Sequence, residues 1–148
     1  MPGPHRLRTF ALAAALTFTF GLQAFAGTPA AASKGRCRWV RVNLAAQTLT
    51  VYQNGSTILK TRISSGRKGK ETPRGHYVIT EKDPDHHSNL YAGAPMPWFL
   101  RLTNSGVGIH YGPNPGHPAS HGCVRIGSLA LAKQAFQNCP LGTAVIIE

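Results

Sequence analysis

Apolar and polar positions in residues 39–64 alternate with the period of a β-strand. In "WVRVNL", Val40, Val42 and Leu44 take every second place against Trp39, Arg41 and Asn43, the pattern of a strand with one buried face. "TLTVYQ" is rich in β-branched and aromatic residues. "STILKTRIS" returns after Asn54-Gly55, a dipeptide suited to the positive φ angles of a two-residue hairpin. "SGRKGKETPRG" has charges, Gly and Pro but no period, and reads as a loop. "HYVITEK" predicts a further strand and "DPDHHSN" a turn or loop. Pro95 and Pro97 lack the N–H a central ladder needs, so they keep the start of "YAGAPMPWFLRLT" out of one. "GVGIHYG" predicts a short strand running into a glycine-rich segment without regular structure. Helical period is confined to "IGSLALAKQAFQNC". There Ser128 can cap, Leu129, Leu131, Ala132, Ala135 and Phe136 form the apolar stripe, and Pro140 and Gly142 end it. "TAVIIE" is a last buried strand. Many short strands and a single helix predict a mainly β domain, and no internal repeat is visible.

A length of 148 residues favours one domain, and the amino-terminal residues read as something else. Arg6 and Arg8 precede a nearly uncharged apolar run at positions 10–26 that ends in Ala24-Phe25-Ala26. This is the charged region, apolar region and small-residue cleavage site of a secretory signal peptide over residues 1–26. The alternative, a retained membrane anchor, is at the lower limit of length for a span. Residues 27–36 are small and polar and read as a flexible leader, leaving 37–148 as the folded domain.

Charge and cysteines refine this picture. The chain has 16 Lys plus Arg and 5 Asp plus Glu, and removing Arg6 and Arg8 leaves 14 against 5, a net +9. Such a surface attracts polyanions. For an exported protein, anionic wall polymers or a membrane surface fit better than nucleic acid. Cys37, Cys123 and Cys139 form an odd set, so in an oxidising compartment one thiol is left over. A bridge between Cys37 and Cys139 would tie the ends of the domain together and leave Cys123 as the thiol.

Cys123 stands in "HYGPNPGHPASHGCVRI", with His110, His117, His121 and Arg125 nearby. A thiol becomes a nucleophile when its thiolate is stabilised, imidazole is the usual base, and the N–H groups of Gly122 and Cys123 are candidates for an oxyanion hole. Two other meanings stay open at this point. The same residues are zinc-ligand types, although Pro118 and Gly122 spoil a helical His pair and no Cys-x-x-Cys is present. The segment can also be a structural loop with an inert cysteine.

"SHGCVR" resembles the signature of the L,D-transpeptidase catalytic domain, the YkuD-type family. "VRVNLAAQTLTVYQNG", "SSGRKGKETPRGHYVI", "MPWFLRLTNSGVGIHYG" and "GTAVII" are similar to its other segments, in the family's order. The resemblance implies a mainly β, sandwich-like or barrel-like fold with one helix after the catalytic loop. It also implies an enzyme without cofactor or metal that cuts a peptidoglycan tetrapeptide at its L,D bond, releases D-alanine and passes the acyl group to an amine. Carried over by position, Cys123 is the nucleophile, His110 the base and Tyr111 the carbonyl that orients it. His121 shapes the site, Ser120 holds the loop, Gly122 gives an oxyanion N–H and Arg125 meets a substrate carboxylate. Trp98 and Tyr91 are candidates for the groove lining, His117 for its wall. His76, His86 and His87 read as surface residues, and Thr72, Pro73 and Gly75 as a structural turn. The resemblance further implies a periplasmic or wall location, peptidoglycan stems as partners and a monomer. A hydrolase on the same scaffold and a silent wall-binding protein are the rival expectations. The short gap from His110 to Ser120 implies a small lid.

Overall fold

The computed structural model describes residues 39–148. The signal peptide, the leader and Cys37 lie outside the described residues, and with Cys37 the expected bridge to Cys139.

The hydrophobic alternation becomes a curled sheet. The strands β1 (Trp39–Asn43), β2 (Thr48–Gln53) and β3 (Ser56–Ser64) form an antiparallel meander. Asn54 and Gly55 take φ of 50° and 79° at the hairpin, as a two-residue turn that follows the strand twist requires. Val40, Val42, Leu49, Val51 and Ile63 face inward and are buried, while Arg41 faces out.

The expected strand "HYVITEK" is two strands. Gly75–Val78 is β4 and pairs with the last strand, β9 (Ala144–Ile147). Glu81–His87 is β5 and pairs with β6 (Pro95–Arg101). The remaining strands are β7 (Gly108–Tyr111) and β8 (Val124–Ile126). The sheet order is β4-β9-β1-β2-β3-β8-β7-β6-β5. Its two edge strands, β4 and β5, are therefore joined by only Ile79 and Thr80. So short a link cannot cross an open nine-stranded sheet at about 4.8 Å per strand. The sheet must curl until its edges approach, giving a half barrel. Ile79 sits buried at the closure, donating its N–H to Thr143 O, while Thr80 N–H donates to Arg101 O.

"DPDHH" is strand, not the expected loop. The register Asp83↔Phe99, Asp85↔Pro97, His86↔Met96 explains why. β5 is an edge, so Pro84 withholds its missing N–H from no neighbour. Pro95 and Pro97 contact only that edge, and the ladder from β6 to β7 uses Leu100 and Arg101.

The helix α1 (Leu129–Asn138) starts at Ser128, whose Oγ accepts from Leu131 N–H. Ala132 and Ala135 are buried and Leu131 and Phe136 partly so. Leu129 is not part of the stripe, being half exposed. It is the first helical residue, placed before the helix closes on the sheet. Cys139 caps the other end and is buried in the core. Among the described residues no helix is long and apolar enough to cross a membrane.

Candidate active site

Two parallel strands in the middle of this sheet bring the reactive residues together. β8 was not foreseen in the sequence. It pairs with β7 in parallel, Ile109↔Val124 and His110↔Arg125, and with β3 on its other side. Side chains alternate along a strand. His110 and Arg125 therefore share a face, and so does Cys123, two residues before Arg125. Position 108 on that face is glycine, and an added Cβ there would lie 2.4 Å from Phe99 Cε2. His110, Cys123 and Arg125 all line one cavity of about 820 Å³ with His86, Tyr91 and Arg101.

His110 is buried, and its Nδ1 lies 2.6 Å from the Tyr111 carbonyl oxygen. A carbonyl only accepts, so Nδ1 carries the proton and Nε2 keeps its lone pair. Burial pushes the imidazole pKa down to about 4, against the upward pull of the Tyr111 bond, and Arg125 and His86 add to the depression. At neutral pH His110 is an uncharged base.

Cys123 donates its thiol proton weakly to Gly106 O at 3.6 Å. Burial raises the thiol pKa, partly offset by the Gly108 N–H and by Arg125 and Arg101. The resting pair is thus a neutral thiol and a neutral imidazole.

The turn before Cys123 is held by hydroxyls. Ser120 Oγ donates to Cys123 O at 2.6 Å and accepts from Gly122 N–H at 3.1 Å. This corrects the expectation for Gly122: its N–H is turned into the loop instead of toward an oxyanion. Gly122 takes φ of +123°, which L side chains rarely adopt. Its carbonyl accepts from Thr72 Oγ1 at 2.8 Å, and Thr72 Oγ1 in turn accepts from Gly66 N–H at 2.8 Å. The expected structural turn at Thr72 is a brace between the 65–74 loop and the cysteine loop. Ser120 N–H reaches Ser65 O and Arg67 N–H reaches Ser120 O, tying the two loops a second time.

His121 is exposed, with Nε2 2.8 Å from Arg67 Nη1 and its ring 4.4 Å from that of Tyr91. The arginine can only donate, so Nε2 accepts and Nδ1 holds the proton. Loss of hydration lowers the pKa of His121, with Arg67, Arg125 and Lys70 adding to it.

Two expected lining residues are elsewhere. Trp98 is absent from the cavity lining and packs edge-on against Phe136 of α1, 5.3 Å between centroids. His117 is exposed and outside the cavity lining, and its carbonyl accepts from Ser64 Oγ. His86 is the reverse case. Expected at the surface, it is mostly buried, stacks on Phe99 at 4.2 Å, bonds Asp83 and lines the cavity. Its strand lies in a segment without hydrophobic period, so no sequence signal marked it. Arg101 was also missed; it looks like any surface charge until pairing with Glu81 and the curl of β6 place it by Cys123. The groups of ligand type that converge within 4.8 Å among the described residues are Glu81, Asp83 and His86, not the cysteine segment. Asp83 is bonded to His86 and Glu81 to Arg101.

Residues 38–147 match the L,D-transpeptidase catalytic domain family, YkuD. The chain is similar to a Bacillus licheniformis protein provisionally named L,D-transpeptidase YkuD, with 30% identity over 112 residues, 73% of this chain and 64% of the relative. Among solved structures it resembles the Stackebrandtia nassauensis L,D-transpeptidase (TM-score 0.68, 26% identity, 80% of this chain and 61% of that one). It also resembles a cysteine-to-serine mutant of the Enterococcus faecium L,D-transpeptidase (TM-score 0.67, 26% identity, 76% and 50%). The chain thus spans less than two thirds of the length of each of these relatives.

Proposed function

For a chain that belongs to the YkuD family of L,D-transpeptidase catalytic domains, we propose a cysteine acyl transfer on peptidoglycan stem tetrapeptides, carried out outside the cytoplasmic membrane. The observation that carries it is the convergence on one cavity of His110, from β7, and Cys123, immediately before the neighbouring parallel strand β8, with the imidazole proton held on the Tyr111 side. His110 Nε2 takes the thiol proton as sulfur attacks the carbonyl of the third stem residue. The proton passes to the departing amine, the C–N bond breaks, and D-alanine leaves behind a thioester on Cys123. An amine acceptor then attacks the thioester, forms the new amide and returns a proton to sulfur through His110. With the Gly122 N–H engaged by Ser120, the Cys123 N–H and the Arg125 side chain are the donors left for the developing oxyanion.

Water is the competing acceptor. Residues 115–118 are exposed and outside the cavity lining, so they give the thioester little cover. Export rests on residues 1–26, and amino-terminal sequencing of protein from the cell envelope should begin after Ala26. A start at Met1 would favour a retained anchor.

The test is intact-protein mass spectrometry with a purified disaccharide-tetrapeptide. A thioester adduct and one D-alanine per Cys123 are expected, with none for Cys123→Ala. Amide formation after adding an amine marks a transferase, and free tripeptide alone marks the hydrolase. A reduced, unmodified Cys123 would sink the mechanism and point to a silent wall-binding protein.

A further inference from the structure

Three imidazoles line the cavity among the described residues, those of His86, His110 and His121. Two are committed. His110 Nε2 is the base toward sulfur, and His121 Nε2 accepts from Arg67 Nη1. His86 is the third. Its Nδ1 lies 3.1 Å from Asp83 Oδ2, while no hydrogen bond engages its Nε2, which is not buried. A carboxylate only accepts, so Nδ1 carries the proton and Nε2 keeps a free lone pair. Asp83 is outside the cavity lining, which leaves the Nε2 edge of the ring to the cavity.

The ring is held in place. It is mostly buried and stacks on Phe99 at 4.2 Å, with 11° between the planes. Residues three apart on a regular strand face opposite ways. Asp83 and His86 meet because β5 bends locally, where Asp85 N–H donates to Asp83 Oδ1 at 3.0 Å. That bond, and the one from His86, hold the Asp83 carboxyl below its ordinary pKa range, so it is charged at neutral pH. The Phe99 ring also lies 6.2 Å from that of His110, and both imidazoles open on the same space.

Proton balance gives this lone pair a task. An alkylamine in neutral water is an ammonium with three N–H bonds, and the amide it becomes keeps one. Two protons must therefore leave in the second half of the reaction. One reaches sulfur through His110, and the other still needs an acceptor. The cavity presses for its release. Arg101 and Arg125 line it, Arg125 Nε is buried without a hydrogen-bond partner, and no aspartate or glutamate lines it among the described residues. Beside two cations an ammonium is disfavoured against the neutral amine.

We propose that His86, oriented by Asp83, is a second base that takes the surplus proton of the acceptor ammonium, so that the protein favours amines over water at its thioester. The inference rests on the acyl-transfer reading and deepens it. One N–H bond of the ammonium breaks, its electron pair stays on nitrogen, and the proton joins His86 Nε2. The neutral amine attacks the thioester carbon and gives its second proton to His110. The C–S bond then breaks, and His110 passes that proton to sulfur. The imidazolium of His86, stabilised by Asp83, releases its proton to water. Water as acceptor carries no surplus proton and needs His110 alone.

The experiment lets the thioester formed from the tetrapeptide partition at pH 7 between water and excess amine. Mass spectrometry reads the ratio of amide to free tripeptide, which does not depend on how fast the thioester forms. Two amines of similar shape are compared: ethylamine, an ammonium at this pH, and trifluoroethylamine, already neutral. In His86→Gln the ratio for ethylamine should fall at least about tenfold, while that for trifluoroethylamine stays near the wild-type value. Asp83→Asn, which keeps an oxygen for the Nδ1 proton but loses the charge, should show a smaller fall, again confined to ethylamine. Equal falls for both amines, no fall in a folded His86→Gln, or a wild-type thioester that yields no amide with either amine would each overturn the proposal. If His86→Gln does not fold, the selective fall expected of Asp83→Asn decides it. A wild type that forms no thioester would overturn the acyl-transfer reading and the second base with it; a thioester whose partition ignores His86 overturns the second base alone.

Discussion

At the residue scale, the site combines a base that is too acidic to be charged with a thiol that is too basic to ionise. The result has a sign that can be measured. With burial raising the Cys123 pKa above its ordinary value, alkylation by iodoacetamide should climb steadily with pH beyond 9, with no plateau at pH 6–8. A neutral plateau would reveal a preformed thiolate–imidazolium pair. His110 also links protonation to folding. In the unfolded chain it binds a proton below about 6.5, whereas in the fold it does so only near 4. Stability should therefore fall as pH drops from about 6.5 toward 4, by up to about 3 kcal/mol, and His110→Gln should flatten that slope in urea unfolding curves. Thr72 supplies a third test. Thr72→Val removes both bonds to Gly122 O and Gly66 N and should cost about 1–3 kcal/mol and slow acylation of Cys123. Thr72→Ser, which keeps the hydroxyl, should restore most of both. That Cys123, His110, Ser120 and His121 belong to one cavity was legible from residue type and motif. The brace from Thr72, the engagement of the Gly122 N–H and the unpartnered Arg125 Nε were not, because each depends on a loop about 50 residues away in the chain or on the exact turn geometry.

At the element scale, strands were legible where one face is buried and the other wet, as in β1 to β3 and β9. The pattern failed at two strands, β8 and β5. β8 is buried at Val124 and Ile126 but too short, at three residues, to show a period. β5 is an edge strand of charges, histidines and a proline, held by its register with β6 and not by hydrophobicity. The helix was the easiest element, since its cap, stripe and stop are all local. Ser128→Ala should destabilise the protein by about 0.5–1 kcal/mol, at the low end for a cap because the Oγ to Leu131 N–H distance is long at 3.4 Å; thermal melts measure it. Gly108→Ala should do more. Its methyl would meet Phe99 and the Leu100 carbonyl, and β6 and β7 would have to part. A loss of about 1–3 kcal/mol, together with a drop in Cys123 acylation, is expected; wild-type unfolding would mean the strands yield without cost.

At the scale of the whole molecule, charge and closure act separately. Residues 27–148 carry 14 Lys plus Arg against 5 Asp plus Glu, so retention on an anionic wall preparation should weaken as salt rises from about 0.05 to 0.5 M, as screening shortens the reach of exposed charges. Salt-independent retention would instead point to a specific docking site. Closure follows from Ile79 and Thr80, two ordinary residues whose consequence is global: they join the two edge strands and so oblige the sheet to curl. Composition and hydrophobic period by themselves determined the β class and the helix with its limits, and the motifs, matched in order, marked the family. Those properties are local, carried by residue types and their spacing. Only the tertiary structure decided which strands are neighbours, that β7 and β8 run parallel so that His110, Cys123 and Arg125 share a face, that Trp98 turns to the helix, and that His86 and Arg101 enter the cavity. Register and curl are settled by pairings between residues far apart in the chain, which no local pattern encodes.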